Sequence, residues 1–258
     1  MKPMNPRKAL ARFIGAAVLI SPASLHAASI TLDWNSVTWT AGQLVQSFDI
    51  DPGNPGNDVT ITITDTAGRI AQAVSGTTLI TGGVSPTNKT LQLVTNFTTN
   101  LESIVVRIDF NYLAGVRDVN FFIHDIDGTL NSWQEEVRGI SATGDTLPNF
   151  APTSLLRVGA SPTFQITGVG LAQLLTATSE AADDSNNGSA SVSFGSQLVR
   201  TTTFTSGAGT VGNFDPIESG ISLGTVTYNN VPEPSSAMLL LSAASVAGFV
   251  RRRVKAAR

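Results

Sequence analysis

Three features of this 258-residue chain predict an all-β fold, an antiparallel β-sandwich or jelly roll. Apolar and polar residues alternate with a period of two through most of the middle of the chain. Thr and Val are abundant there, as suits a pleated, half-buried surface. Gly, Asn and Asp punctuate the runs at the spacing of short strands joined by turns.

The elements follow in order. Val59, Ile61 and Ile63 alternate with Thr60, Thr62 and Thr64, giving a strand with one hydroxyl face. Ile104, Val106, Ile108 and Phe110 line one face of the next, with Arg107 and Asp109 opposite. Val119, Phe121 and Ile123 repeat the pattern against Asn120, Phe122 and His124. Further strands are expected over 190–194, 198–204 and 221–228. Leu171, Leu174 and Leu175 could share one side of a short helix over 171–182, although no convincing cap precedes it. A polar loop, Asp183-Asp184-Ser185-Asn186-Asn187-Gly188, follows.

Both ends of the chain have a different character. Lys2, Arg7, Lys8 and Arg12 precede an apolar run from Phe13 to Ile20, then Ser21, Pro22 and small residues ending Ala27-Ala28. Charge, grease and small residues in that order predict a secretory signal peptide over 1–27, with a helical apolar segment too short to span a bilayer. Cleavage is expected after Ala27, although Leu25 is larger than the residue usually found there. At the other end, Val231-Pro232-Glu233-Pro234 leads into an apolar helical segment over 237–250, closed by Arg251, Arg252 and Arg253. The prolines separate this tail from the last strand, and the cationic cluster would stay cytoplasmic. The expected organisation is therefore a leader over 1–27, a β-sandwich over 28–230 and a tail over 231–258.

With the ends set aside, the charge balance changes. The whole chain carries −3, but residues 28–230 hold seven Lys and Arg against eighteen Asp and Glu, a formal charge of −11. That argues against nucleic acid as a partner, because phosphates need Lys and Arg. No cysteine occurs, so stability rests on the core rather than on disulfides, and thiolate chemistry is excluded.

Two catalytic patterns are present without their context. Gly220-Ile221-Ser222-Leu223-Gly224 fits the nucleophile-elbow spacing, but the Ser falls inside an alternating strand and no His follows it. Gly207-Ala208-Gly209-Thr210-Val211-Gly212 fits a dinucleotide fingerprint, but Asn213-Phe214-Asp215-Pro216 follows where a helix should open. His124, alone in the segment between the signals, reads as a structural residue. Paired carboxylates keep glycoside hydrolysis formally open, with no spacing that selects a pair. The sequons at Asn88, Asn96 and Asn187 read as ordinary loop and strand polarity.

The most specific internal run is Phe121-Phe122-Ile123-His124-Asp125-Ile126-Asp127-Gly128, with Trp133, Glu135 and Glu136 just beyond. Asp125, Asp127 and Glu136 are the candidate ligands for Ca2+, which favours hard oxygens gathered at a strand end. Thr129 and Leu130 stand where an EF-hand needs a ligand and a glycine. The competing reading is a turn whose Asp side chains satisfy loop amides. The loop Asp49-Ile50-Asp51-Pro52-Gly53-Asn54 poses the same choice.

The tail resembles the PEP-CTERM sorting signal, through Pro232-Glu233-Pro234, the short apolar segment and Arg251-Arg252-Arg253, all in order behind an N-terminal leader. The resemblance covers about 28 residues. It implies recognition and processing by an exosortase, and location at the cell surface or in the extracellular matrix of a Gram-negative bacterium, in a setting of exopolysaccharide and biofilm. Export would begin with the Sec translocon and signal peptidase. More loosely, the strand ending Asp125-Ile126-Asp127, then Trp133 and the Gly220-Ile221-Ser222 strand, resemble a recurrent β-sandwich domain of bacterial surface proteins. That resemblance implies no activity.

Together these readings point to a structural or adhesive envelope protein, with extracellular polysaccharide as a ligand if aromatic side chains form an exposed platform. Trp34, Trp39 and Trp133 are the platform candidates. The alternatives are a matrix filler without a specific ligand and a secreted glycan-acting enzyme.

Overall fold

The computed structural model describes residues 27–76, 89–129, 133–145, 147–181, 186–209 and 219–231. Nearly all of the expected leader, and the tail from Pro232 onward with its apolar segment and Arg251, Arg252 and Arg253, lie outside the described residues. Among the described residues no helix is long and apolar enough to cross a membrane.

The body is an antiparallel β-sandwich. One sheet contains β1 (Ser29–Leu32), β4 (Ile70–Gly76), β5 (Thr90–Thr95), β7 (Val116–His124), β10 (Ser154–Val158), β13 (Ser189–Ser193) and β15 (Ser219–Asn230). Their order is β10-β13-β7-β15-β5-β4, and β1 also pairs with β15. The facing sheet contains β2 (Val45–Phe48), β3 (Val59–Thr64), β6 (Ser103–Phe110), β9 (Trp133–Thr143), β11 (Phe164–Thr167), β12 (Leu174–Ala177) and β14 (Thr201–Ala208). It runs β11-β12-β9-β14-β6-β3-β2, with the two-residue β8 (Gly128–Thr129) alongside β9.

The alternating strands form where their pattern demands. Val59, Ile61 and Ile63 are buried on β3 while their Thr neighbours are not. On β7, Val119, Phe121 and Ile123 enter the core, and Phe122 is left partly exposed with its ring stacked on His124. The expected strand over 198–204 begins later as a strand proper, at Thr201, because Val199 forms an isolated bridge to Val116.

The expected helix over 171–182 does not form. A single 3-10 turn, Gly170–Ala172, has no side-chain cap at Val169, and β12 begins at Leu174. Leu175 lies opposite Val137 of β9 and is buried, while Leu174 is only half-buried. A ladder partner therefore overrides a weak helical spacing that lacked a cap.

Between the sheets, Phe121 stacks on Phe204, and Trp34 meets Phe48 edge-on. β1 and β5 lie end to end along one side of β15, opposite β7: β5 pairs with 219–223 and β1 with 226–229. At the gap between them, Gly224 lets the His124 ring approach, since an added Cβ would lie 2.6 Å from its Nε2.

Candidate functional site

β15 runs from one pole of the sandwich to the other, and each pole gathers polar side chains. From Ser222 to Asn230 it rises by roughly 25 Å.

At the first pole, β7 ends in a buried corner. Asp125 takes a left-handed backbone, φ 68°, and Ile126 is wholly buried with its N–H donating to the Gly188 carbonyl at 2.9 Å. The Asp127 carboxylate accepts the Ala181 N–H at 2.9 Å. Gly128 packs so closely that a Cβ would lie 2.7 Å from the Trp133 carbonyl. This is the turn reading in structural form, with an Asp side chain satisfying a loop amide.

The third carboxyl at this corner is Glu135. Its carboxylate accepts the Asp127 N–H at 3.4 Å, and its own N–H donates to the Asp127 carbonyl at 3.1 Å. Burial, followed by the charges of Asp127 and Asp125, holds the Glu135 carboxyl well above the ordinary carboxylate range. Glu136 points the other way, as strand alternation requires, and pairs with Arg138 at 2.6 Å. The expected set of Asp125, Asp127 and Glu136 is therefore not brought together around one cation. Among the described residues no group of three or more His, Asp or Glu is arranged to hold a metal ion.

His124 accompanies this corner. Its Nδ1 lies 2.8 Å from Ser189 Oγ, and burial pushes its pKa down to about 4, so the ring is neutral at pH 7. Ser222 is its cross-strand neighbour on β15, inside a strand throughout, and no elbow forms. Gly207 belongs to β14 and the Gly209 N–H donates to the Gln134 carbonyl, so the first two glycines of the pattern continue the sheet. Thr210 to Gly212 lie outside the described residues.

The platform expectation fails for two of its three residues. Trp34 and Trp39 are 0 % and 1 % exposed. Their indole N–H groups donate to the carbonyls of Gly224 and Gln43, both at 3.0 Å. They are core residues, as large aromatic area favours. Trp133 is half-buried at the first pole.

The second pole was not legible as a unit. Asp58, fully buried, accepts the N–H groups of Ile50 and Asp51, each at 2.6 Å, and the Asn54 side-chain amide at 2.7 Å. Asp51 accepts the Gly53 N–H at 3.0 Å and lies 3.3 Å from the Tyr112 hydroxyl. The acidic loop over 49–54 is thus closed on its own amides. Tyr112 and Tyr228 hydroxyls lie 3.2 Å apart. Asn230 completes the pole: its side chain accepts the Ala28 N–H at 2.8 Å and donates to Asp51 at 3.1 Å. Asp58 before β3 and Asn230 after the last apolar position were visible in sequence, but nothing there joined them.

An antiparallel sandwich whose last strand leads directly into a short apolar tail defines the class: a folded body carrying a C-terminal sorting segment. Residues 230–254 match the family model described as the PEP-CTERM protein-sorting motif. The chain thus carries a PEP-CTERM sorting motif at 230–254, which supports an exported protein sorted to the surface through recognition by an exosortase. Comparison with curated proteins and with solved structures finds no match.

Proposed function

We propose that the protein is a structural component of the extracellular matrix, a closed β-sandwich delivered to the surface by its tail. The observation that carries this reading is the family match at 230–254 directly behind a β-sandwich body in which two of the three Trp candidates are core residues. Trp34 and Trp39 are in the core, and the carboxyls of Asp125, Asp127 and Glu135 are buried at a corner rather than set across a cleft. Polysaccharide contact, if made, would fall to Trp133 and to shape and hydroxyl surfaces such as the Thr face of β3. The Sec translocon and signal peptidase are the proposed earlier partners, acting on residues 1–27.

The test uses the full chain in an exosortase-bearing host. Wild type should reach the surface shortened at its C-terminal end, whereas Pro232→Ala/Glu233→Ala/Pro234→Ala should stay cell-associated at full length. Loss of the protein should loosen the matrix, read as polysaccharide shed into the medium. Unchanged shedding would remove the structural role.

A further inference from the structure

The two ends of the body meet. In the β1–β15 register, Ser29 faces Asn229 and Leu32 faces Val226. Because the strands are antiparallel, the start of β1 and the end of β15 leave the sandwich at the same pole. Asn230 fastens them: its N–H donates to the Ala28 carbonyl at 3.1 Å, its side chain accepts the Ala28 N–H at 2.8 Å, and its amide reaches Asp51 at 3.1 Å. Ala28 is the residue that would become the N-terminus after removal of the proposed leader. Pro232 lies two residues beyond Asn230, a reach of no more than about 7 Å.

The residue that enters the sorting motif is thus tied to the start of β1 and to the 49–54 loop. The clasp also depends on β1, which brings Ile30 and Leu32, then Trp34 and Trp39, into the core. A body with β1 unseated lacks four large core side chains and leaves one side of β15 open over 226–229.

We propose that this pole, built by Ala28, Asn229, Asn230 and Asp51, is the surface that meets the membrane-embedded enzyme processing the tail, and that the Ala28–Asn230 clasp positions the cleavage segment for it. Tail removal therefore proceeds efficiently only from a body whose β1 is seated. This rests on the sorting reading of the tail and goes beyond it, since the body itself takes part. The acidic corner at the opposite end then faces away from the membrane.

The chain contains no cysteine, so one engineered pair reports cleanly. Ser29 and Asn229 flank the hydrogen-bonded Ala28–Asn230 pair, and non-hydrogen-bonded neighbours of this kind have the Cα spacing a disulfide accepts. Full-length chains would be followed by pulse–chase in the exosortase-bearing host. Asn230→Ala should slow tail removal several-fold. Adding Ser29→Cys/Asn229→Cys to that variant should restore the rate under oxidising conditions and lose it again in reductant. Eight Gly/Ser residues inserted after Val231, which leave the clasp intact but carry the motif off the pole, should also slow removal several-fold. Wild-type rates in both Asn230→Ala and the insertion variant would overturn the proposal while leaving the sorting reading intact. A wild-type tail that is never removed would overturn both.

Discussion

The indole N–H of Trp34 donates to the Gly224 carbonyl at 3.0 Å, joining inside the core two residues 190 positions apart. It fills the gap where β1 and β5 meet along β15. Trp34→Phe keeps most of the buried ring but leaves that carbonyl unpaired. An unsatisfied buried acceptor costs about 1–3 kcal/mol, which denaturant unfolding should read as a lower midpoint with an unchanged slope. A variant as stable as wild type would mean that water reaches Gly224.

Gly224 is constrained from its other side. A Cβ there would sit 2.6 Å from His124 Nε2 and 3.0 Å from Phe122 Cβ. Gly224→Ala should destabilise by about 1–3 kcal/mol through overpacking. His124→Ala in the same chain should recover part of this, so the double variant loses less than the two single losses combined. Strict additivity would place the clash elsewhere.

The pH response has two opposed limbs. Glu135 has its carboxyl raised above the ordinary 4.5 by burial and by Asp127 and Asp125. Its contribution is complete below about pH 4.5 and is lost as pH rises through the folded-state value. His124, lowered from 6.5 to about 4 by burial, contributes fully above pH 6.5 and loses that as pH falls towards 4, on the order of 3 kcal/mol across the window. Glu135→Gln should flatten the upper limb and His124→Gln the lower, each read as melting temperature against pH. A common effect of both variants at every pH would remove titration as the cause.

Both tyrosines of the chain are buried, their hydroxyls 3.2 Å apart. Burial is the main cause that pushes each phenol upward in pKa, with the pair's own interaction adding to the rise at Tyr112. Absorbance titration should therefore show no phenolate near pH 10, where an exposed Tyr ionises. Both should appear together when alkali unfolds the body. A gradual phenolate signal near pH 10 in folded protein would contradict the buried pair.

Glu136 is committed to Arg138 at 2.6 Å, and Asp127 to the Ala181 N–H at 2.9 Å. Melts in calcium and in EDTA should therefore coincide. A rise in calcium that Asp125→Ala abolishes would show that the corner rearranges to take the ion.

Strands that bury one face were legible. The Val and Thr of β3 and the Phe121–Phe122 step of β7 reveal their facing in the pattern itself, because water on one side selects polar residues there. β5 is buried at every position, so Thr90-Leu91-Gln92-Leu93-Val94-Thr95 shows no clean alternation to read. The candidate site was half legible for a related reason. Asp125-Ile126-Asp127 identifies itself as a corner, but Glu135 and Glu136 are indistinguishable until the facing of β9 is known. The second pole joins residues 28, 51, 58, 112, 228 and 230, whose meeting is set by the register of β1 on β15.

β15, the final strand of the body, lies in the interior of its sheet, with β7 on one side and β5 and β1 on the other. A chain crossing a membrane from its N-terminus delivers this strand last, so the sheet has no middle until delivery is nearly over. Until then β1 has nothing to pair with, and the β10-β13-β7 and β5-β4 halves of the sheet are not joined. Contacts so distant in sequence also form slowly. The register thus makes closure of this sheet, and the seating of β1, the last contacts the chain can complete.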